Sequence, residues 1–258
     1  MSGSRPQSEP LLDDYSRQAL TYDRSRAADG PLTELIDRAL RPAPGPRLID
    51  IGGGTGNYAA ALAARGWRPL VADISAPMLE RAAAKGLATL RTDAQDLAGV
   101  EDASFDAALM FSMLHHLPQP DAAIAAASRA LVPGGRLAML AFSREDGESV
   151  WLADYFPSSA AWVKTSHMPR SALVALLPGC EQQIVTFSGE DMNLASLAGR
   201  PELVLDAGYR AQTSYFERLA RDDPRGLDEG LARLAHDLAA GRAPRRPGTA
   251  TLLSWTRP

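Results

Sequence analysis

The chain has a single cysteine, Cys180, in 258 residues, so no disulfide can close within it. That usage fits a reducing compartment, and the cytoplasm is the expected location. No run of 18 apolar residues occurs anywhere, and the opening MSGSRPQSEPLLDDYSRQ lacks the apolar core of a secretion signal, so no membrane partner is expected. The four histidines (His115, His116, His167 and His236) and the lone cysteine show no HxxxH or CxxC spacing, so no metal is expected. Basic charge is not in excess: 31 acidic residues stand against 27 basic ones, a net charge of −4. Such a balance exerts no general pull on nucleic acid.

What the chain does have is 45% apolar residues and a regular rhythm. Residues 1–12 are polar and read as a flexible tail. From Leu12 to Leu40 apolar residues recur at three- and four-residue steps, and the prolines of RPAPGPR stop that helical pattern. Strand-like runs then alternate with short alanine-rich helices: RLIDI (47–51), PLVADI (69–74), LATLRT (87–92), FDAALMF (105–111) and RLAMLAF (136–142). Strands separated by helices imply right-handed crossovers and a doubly wound α/β sheet. After Ser143 the rhythm changes. A strand is expected from Gln182 to Phe187 and a closing one at TATLLSWT (249–256), with a mainly helical stretch between them. That stretch is too long for a plain loop. The expected organisation is a core of 43–189 plus 246–258, with a helical cap at 190–245.

The chemistry begins at LIDIGGGTGN (48–57). Ligands of open α/β sheets bind at the carboxyl ends of strands, and glycine there lets a ligand reach the backbone without meeting a Cβ. Gly52, Gly53 and Gly54 end the first strand. Asp50, inside it, is placed to accept from a ligand ammonium. Asp73 ends the second strand, where an acid can take both ribose hydroxyls. Asp93 ends the third, within reach of an adenine amino group. Three acids on successive strand ends make a constellation, whereas any one alone reads as a solvated cap. The dinucleotide fingerprint GxGxxG is not met, because Asn57 stands where its third glycine would be. The spacing and the acid before the glycines favour S-adenosylmethionine (SAM) over NAD.

The pieces LIDIGGGTGNYA, VADISAPMLERA, TDAQDL, SFDAALMFSMLHHL and ASRALVPGGRLAML, in this order, resemble a class I SAM-dependent methyltransferase of the UbiE-like, type 11 small-molecule group. The resemblance covers about Tyr15 to Ser143. It implies a seven-stranded Rossmann-like sheet with the last strand antiparallel. It also implies SAM as cofactor and S-adenosylhomocysteine (SAH) as product. Asp50 and Gly52–Gly54 would then hold the methionine portion and Asp73 the ribose. Ile74 and Met78 would flank the adenine, Asp93 and Ala94 would meet its amino edge, and Phe111 and Ser112 would line the cofactor. Residues 13–42 would be lid helices, with Tyr22 and Arg26 closing over it.

Methyl transfer is an in-line displacement, so alignment and exclusion of water come first, and a general base is needed only for an acceptor that must lose a proton. His115 is the first candidate base and His116 the second, with Glu145 or Asp146 placed to orient an imidazole. Either histidine could instead cap the next helix. Arg170 and Arg210 could bind an acidic acceptor or form surface pairs. Trp151, Tyr155, Phe156 and Trp162 either line a pocket for a planar acceptor or join cap to sheet. The expected activity is methyl transfer to O, N or C of a small, aromatic or natural-product-like molecule by a monomer or homodimer. The alternatives are an NAD-dependent oxidoreductase, disfavoured by the absence of a well-placed TyrxxxLys dyad, and a non-catalytic SAM-binding protein.

Overall fold

The computed structural model describes residues 27–187, 193–244 and 246–258. Helix α1 (Gly30–Leu40) is capped by Asp29, whose side chain accepts from the Leu32 N–H, and it is followed by β1 (Arg47–Ile51). Then come α2 (Asn57–Ala63), β2 (Arg68–Asp73), α3 (Ala76–Ala84), β3 (Ala88–Arg91), β4 (Phe105–Phe111), α4 (Pro120–Ala130) and β5 (Leu131–Ala141). The segment after β5 carries α5 (Arg144–Ser149), α6 (Leu152–Tyr155), α7 (Ala160–Ser166) and α8 (Arg170–Ala175) before β6 (Glu181–Thr186). Helices α9 (Ala207–Arg210), α10 (Ser214–Asp222) and α11 (Pro224–Ala239) precede β7 (Thr249–Thr256). Among the described residues no helix is long and apolar enough to cross a membrane.

The seven strands form one sheet in the order β3-β2-β1-β4-β5-β7-β6, parallel from β3 through β5 and antiparallel at both β7 pairings. The seven-stranded sheet with its antiparallel closing strand is the one the resemblance implies. Central strands are buried on both faces, which is why they read as near-continuous apolar runs. Alternate residues serve opposite faces. Ile49, Ala108, Met110 and Met139 enter one core with α4, while Leu48, Ala107, Leu109 and Leu140 enter the other with α1 and α2. β5 starts five residues earlier than its apolar run predicts. Leu131 already pairs with Phe105, and a register shift accommodates the Pro133-Gly134-Gly135 turn chemistry before regular pairing resumes at Arg136.

A third core lies within the helical layer. Trp151, Leu152 and Phe156 of the segment after β5 bury against Leu197, Val204, Tyr209, Phe216, Leu219 and Leu234 of the segment before β7, with Tyr155 and Trp162 packed beside them. Phe156 meets Phe216 edge-on at 5.6 Å between centroids, and Trp162 meets Tyr215 at 5.7 Å. The aromatic set is thus the interior of a layer built from two separate chain segments. Burying each large ring contributes about 2–3 kcal/mol.

Candidate active site at the carboxyl edge of the sheet

The chain turns one way from β1 to β2 and β3, then returns to the other side of β1 as β4. The carboxyl ends of β1 and β4 therefore frame the crevice where open α/β sheets bind ligands. The glycine loop fills the β1 side. Gly52 and Gly54 both take positive φ, +67° and +56°, which L side chains rarely adopt. A Cβ on Gly52 would lie 2.9 Å from Met113, whereas one on Gly54 would meet nothing within 4 Å. At Gly54 glycine is required by conformation, and the backbone there faces open space. Gly54→Ala should accordingly cost about 1–2 kcal/mol from the left-handed conformation alone, measurable by urea denaturation.

Asp50 shares its face with Leu48, where strand alternation would place another apolar residue. It is 1% exposed, and its Oδ1 has no hydrogen-bond partner among the described residues. Burial, with a smaller contribution from the charge of Asp73, pushes its carboxyl up to about 7. Asp73 lies at the end of β2, held by the Gly54 N–H at 2.9 Å and the Ser75 N–H at 2.8 Å. Its carboxyl is also raised, by burial, against the lowering effect of those donors. Beside it Ile74 is 42% exposed, an uncommon state for a large apolar residue at a strand end, while Met78 is buried in α3. Asp93 forms a turn beyond β3, accepting from the Gln95 N–H at 2.8 Å, and Ala94 packs against the core. The Thr92 hydroxyl, buried next to it, also lacks a partner among the described residues.

On the β4 side Phe111 stacks on Tyr58 of α2 at 3.9 Å between centroids, and Ser112 takes a positive φ of 52° while its N–H donates to the Leu140 carbonyl. His115 and His116 follow in a single 3-10 turn (Leu114–His116), with their rings 3.9 Å apart. His167, brought in by the segment after α7, lies 5.4 Å from His115 with the rings stacked. His116 keeps contact with solvent, yet the protein around it, helped by His167, lowers its pKa to about 4. Burial likewise lowers that of His167. An imidazole so far below pH 7 stays neutral but is a weak base.

Four side chains considered as partners for an imidazole or an acidic acceptor are engaged within the protein, and the charge of Asp146 opposes the lowering of His167. Asp146 is fully buried in bonds to Ser143, Arg170, Thr249 and Thr251, and Glu145 accepts the Arg170 N–H. Arg170 is bound to Asp146 and Thr251, and Arg210 donates to the Val204 carbonyl. Both arginines are held by the protein itself. Tyr22 and Arg26 lie outside the described residues. Gln95, which sequence reading passed over, bridges two edges of the site: it bonds Asp93 and accepts the Gln119 N–H at 3.0 Å. Its signal was the short spacing from Asp93 in TDAQDL.

A buried carboxylate with an unfilled oxygen, an open glycine backbone, an acid at the second strand end and an exposed isoleucine beside it suit a ligand bearing an ammonium group, a ribose and a flat base. Fold and crevice together are those of the class I SAM-dependent methyltransferases. Residues 49–139 match the family described as "Methyltransferase domain". The ubiquinone biosynthesis O-methyltransferase of Xanthomonas oryzae pv. oryzae is 30% identical over 230 residues, spanning 78% of this chain and 93% of that protein. The fold recurs in a protein of Anabaena variabilis assigned to methyl transfer in an antibiotic biosynthesis pathway (24% identity, TM-score 0.73, 89% of this chain and 98% of that one). It recurs also in a phosphoethanolamine N-methyltransferase of Haemonchus contortus (17% identity, TM-score 0.61, 94% of this chain and 57% of that one). The chain belongs to the class I SAM-dependent methyltransferase family and is a SAM-dependent methyltransferase.

Proposed function

We propose that the enzyme moves a methyl group from SAM to O, N or C of a small, ring-bearing, natural-product-like acceptor held between the β4–β5 end of the crevice and the helical layer. The observation that carries the cofactor half is Asp50 Oδ1, buried and unfilled, in a carboxyl group that lies against Gly53. A ligand ammonium is the group that removes both its desolvation cost and its repulsion with Asp73. Asp50 and Gly52–Gly54 would hold the methionine portion and Asp73 the ribose. Ile74 and Met78 would border the adenine, with Asp93 and Ala94 at its edge and Phe111 and Ser112 along the cofactor's flank. Bound SAM supplies an activated methyl group and a leaving group already carrying its charge.

The protein's part is to align the acceptor and exclude water. Where the acceptor must lose a proton, His115 would take it at an imidazole nitrogen, and His116, the second candidate base, would otherwise orient the acceptor. The name of the Xanthomonas relative, an O-methyltransferase of quinone biosynthesis, supports a ring-bearing acceptor and transfer to oxygen.

The test has two arms. Incubation with SAM and a panel of phenols, amines and activated carbon acids, read by mass spectrometry, should give a product heavier than one of the acceptors by one CH2, a methyl having replaced a hydrogen, together with SAH. In the second arm wild type should bind SAH about tenfold more tightly than its 2′-deoxyribose analogue, and Asp73→Asn should lose that discrimination, the value of a hydrogen bond to a charged group. Unchanged discrimination in the variant would refute the ribose assignment.

A further inference from the structure

Arg144 opens α5, three residues beyond the end of β5. It is half-buried, its Nε is shut off from solvent, and among the described residues its guanidinium has no hydrogen-bond or ion-pair partner. Arg38 and Arg68 also lack partners but stand exposed in water, where that costs nothing. A buried donor left unmade costs about 1–3 kcal/mol. The first turn of a helix also favours anions, so a cation there has the wrong sign. The acids that follow it do not neutralise it: Glu145 takes the Arg170 N–H at 2.9 Å, and Asp146 is enclosed by Ser143, Thr249, Thr251 and Arg170.

The backbone of Arg144 stands on the acceptor side of the crevice. Phe111 pairs with Leu140, so the segments carrying His115 and Arg144 leave the sheet side by side. The Arg144 N–H donates to the Met168 carbonyl at 2.8 Å, which fixes the neighbouring His167, whose ring stacks 5.4 Å from His115. Arg144 and three histidines are thus carried to one corner of the sheet edge by adjoining segments. Among the described residues no group of three His, Cys, Asp or Glu is placed to hold a metal ion. Stacked imidazoles offer a flat face, and the guanidinium offers a fixed positive charge that pairs with carboxylates and phenolates.

We propose that Arg144 is a specificity-determining residue of the acceptor site, pairing with a single anionic group, a carboxylate or an ionised phenol, on a flat ring laid against His115 and His167. The inference rests on the methyltransferase reading of the crevice and adds the acceptor's charge to it.

The full-length chain, saturated with SAH, is titrated calorimetrically with 3,4-dihydroxybenzoate and with its methyl ester, in wild type, Arg144→Gln and Arg144→Lys. The acid should bind wild type at least tenfold more tightly than the ester. Arg144→Gln should bring the acid down to the ester's level without moving the ester, and Arg144→Lys should keep part of the preference. SAH affinity, measured first in each variant, should be equal throughout. Failure of wild type to bind SAH would count against the methyltransferase reading itself. With SAH bound, three results would each overturn the role of Arg144: no binding of the acid, equal binding of acid and ester, or a preference that survives in Arg144→Gln.

Discussion

Replacing Asp50 with asparagine should raise the melting temperature of the cofactor-free protein while weakening SAM binding by about 10- to 100-fold. Both effects come from one carboxyl group. In the free protein it is buried, unfilled at Oδ1 and raised to about 7 by desolvation and by the charge of Asp73. An aspartate raised in the fold holds its proton where the unfolded chain has already released it. Between about pH 4 and pH 7 the native state then binds more protons than the unfolded one, and stability falls as pH rises. A neutral amide of the same shape removes that loss. With SAM bound the carboxylate gains an ammonium partner, a charged hydrogen bond contributing about 1.5–3 kcal/mol. Binding should therefore release a proton near neutrality, and affinity should grow from pH 5 to pH 7.

Thermal unfolding across that range and calorimetry in buffers of different ionisation enthalpy read both effects. The difference between wild type and variant isolates Asp50, since His116, held below its ordinary value, contributes stability that rises with pH. Unaltered SAM affinity in Asp50→Asn would remove the ammonium assignment.

The sheet was legible in the sequence because its central strands are buried on both faces and so read as unbroken apolar runs. Asp50 stood out as the break in one of them. The early start of β5 was hidden because Pro133, Gly134 and Gly135 have the chemistry of a turn, and only the pairing of Leu131 with Phe105 makes the segment a strand. At the site, positions fixed within one strand-to-helix unit, such as Gly54 and Asp73, could be read locally. The stacking of His167 on His115 could not, because it depends on a hydrogen bond between residues 144 and 168 that leaves no local pattern. The same holds for the arginines. Arg170 and Arg210 could be singled out in sequence, but their bonds to Asp146 and to the Val204 carbonyl could not, and the unpartnered Arg144 left no signal there.

Asp146→Ala should lower stability by about 3–5 kcal/mol, the cost of breaking a buried charge pair from one side. Locally, Asp146 completes a capping box with Ser143 at the start of α5. The same carboxylate accepts from Arg170 at 2.8 Å, Thr249 at 2.6 Å and Thr251 at 2.7 Å, while Thr251 accepts the Arg170 Nε at 3.0 Å. This closed ring ties the start of α5, the start of α8 and strand β7 at one point. Burial by itself would raise the Asp146 carboxyl, but the bonds from Thr249, Ser143 and Thr251 outweigh it and leave the pKa lowered. The sign is opposite to that of Asp50. Stability from Asp146 is present above the unfolded aspartate value near 4 and is lost as pH falls through the lower folded value. Urea denaturation should show the wild type losing stability steeply below pH 4 and the variant much less so. A loss under 1 kcal/mol in Asp146→Ala would mean that water replaces the carboxylate in the ring. Arg144 lies two residues before Asp146 on the same short helix. Asp146→Asn, which keeps the shape, should therefore raise the acceptor KM more than it weakens SAM binding, because the ring anchors the β5 side of the crevice and leaves the glycine loop untouched.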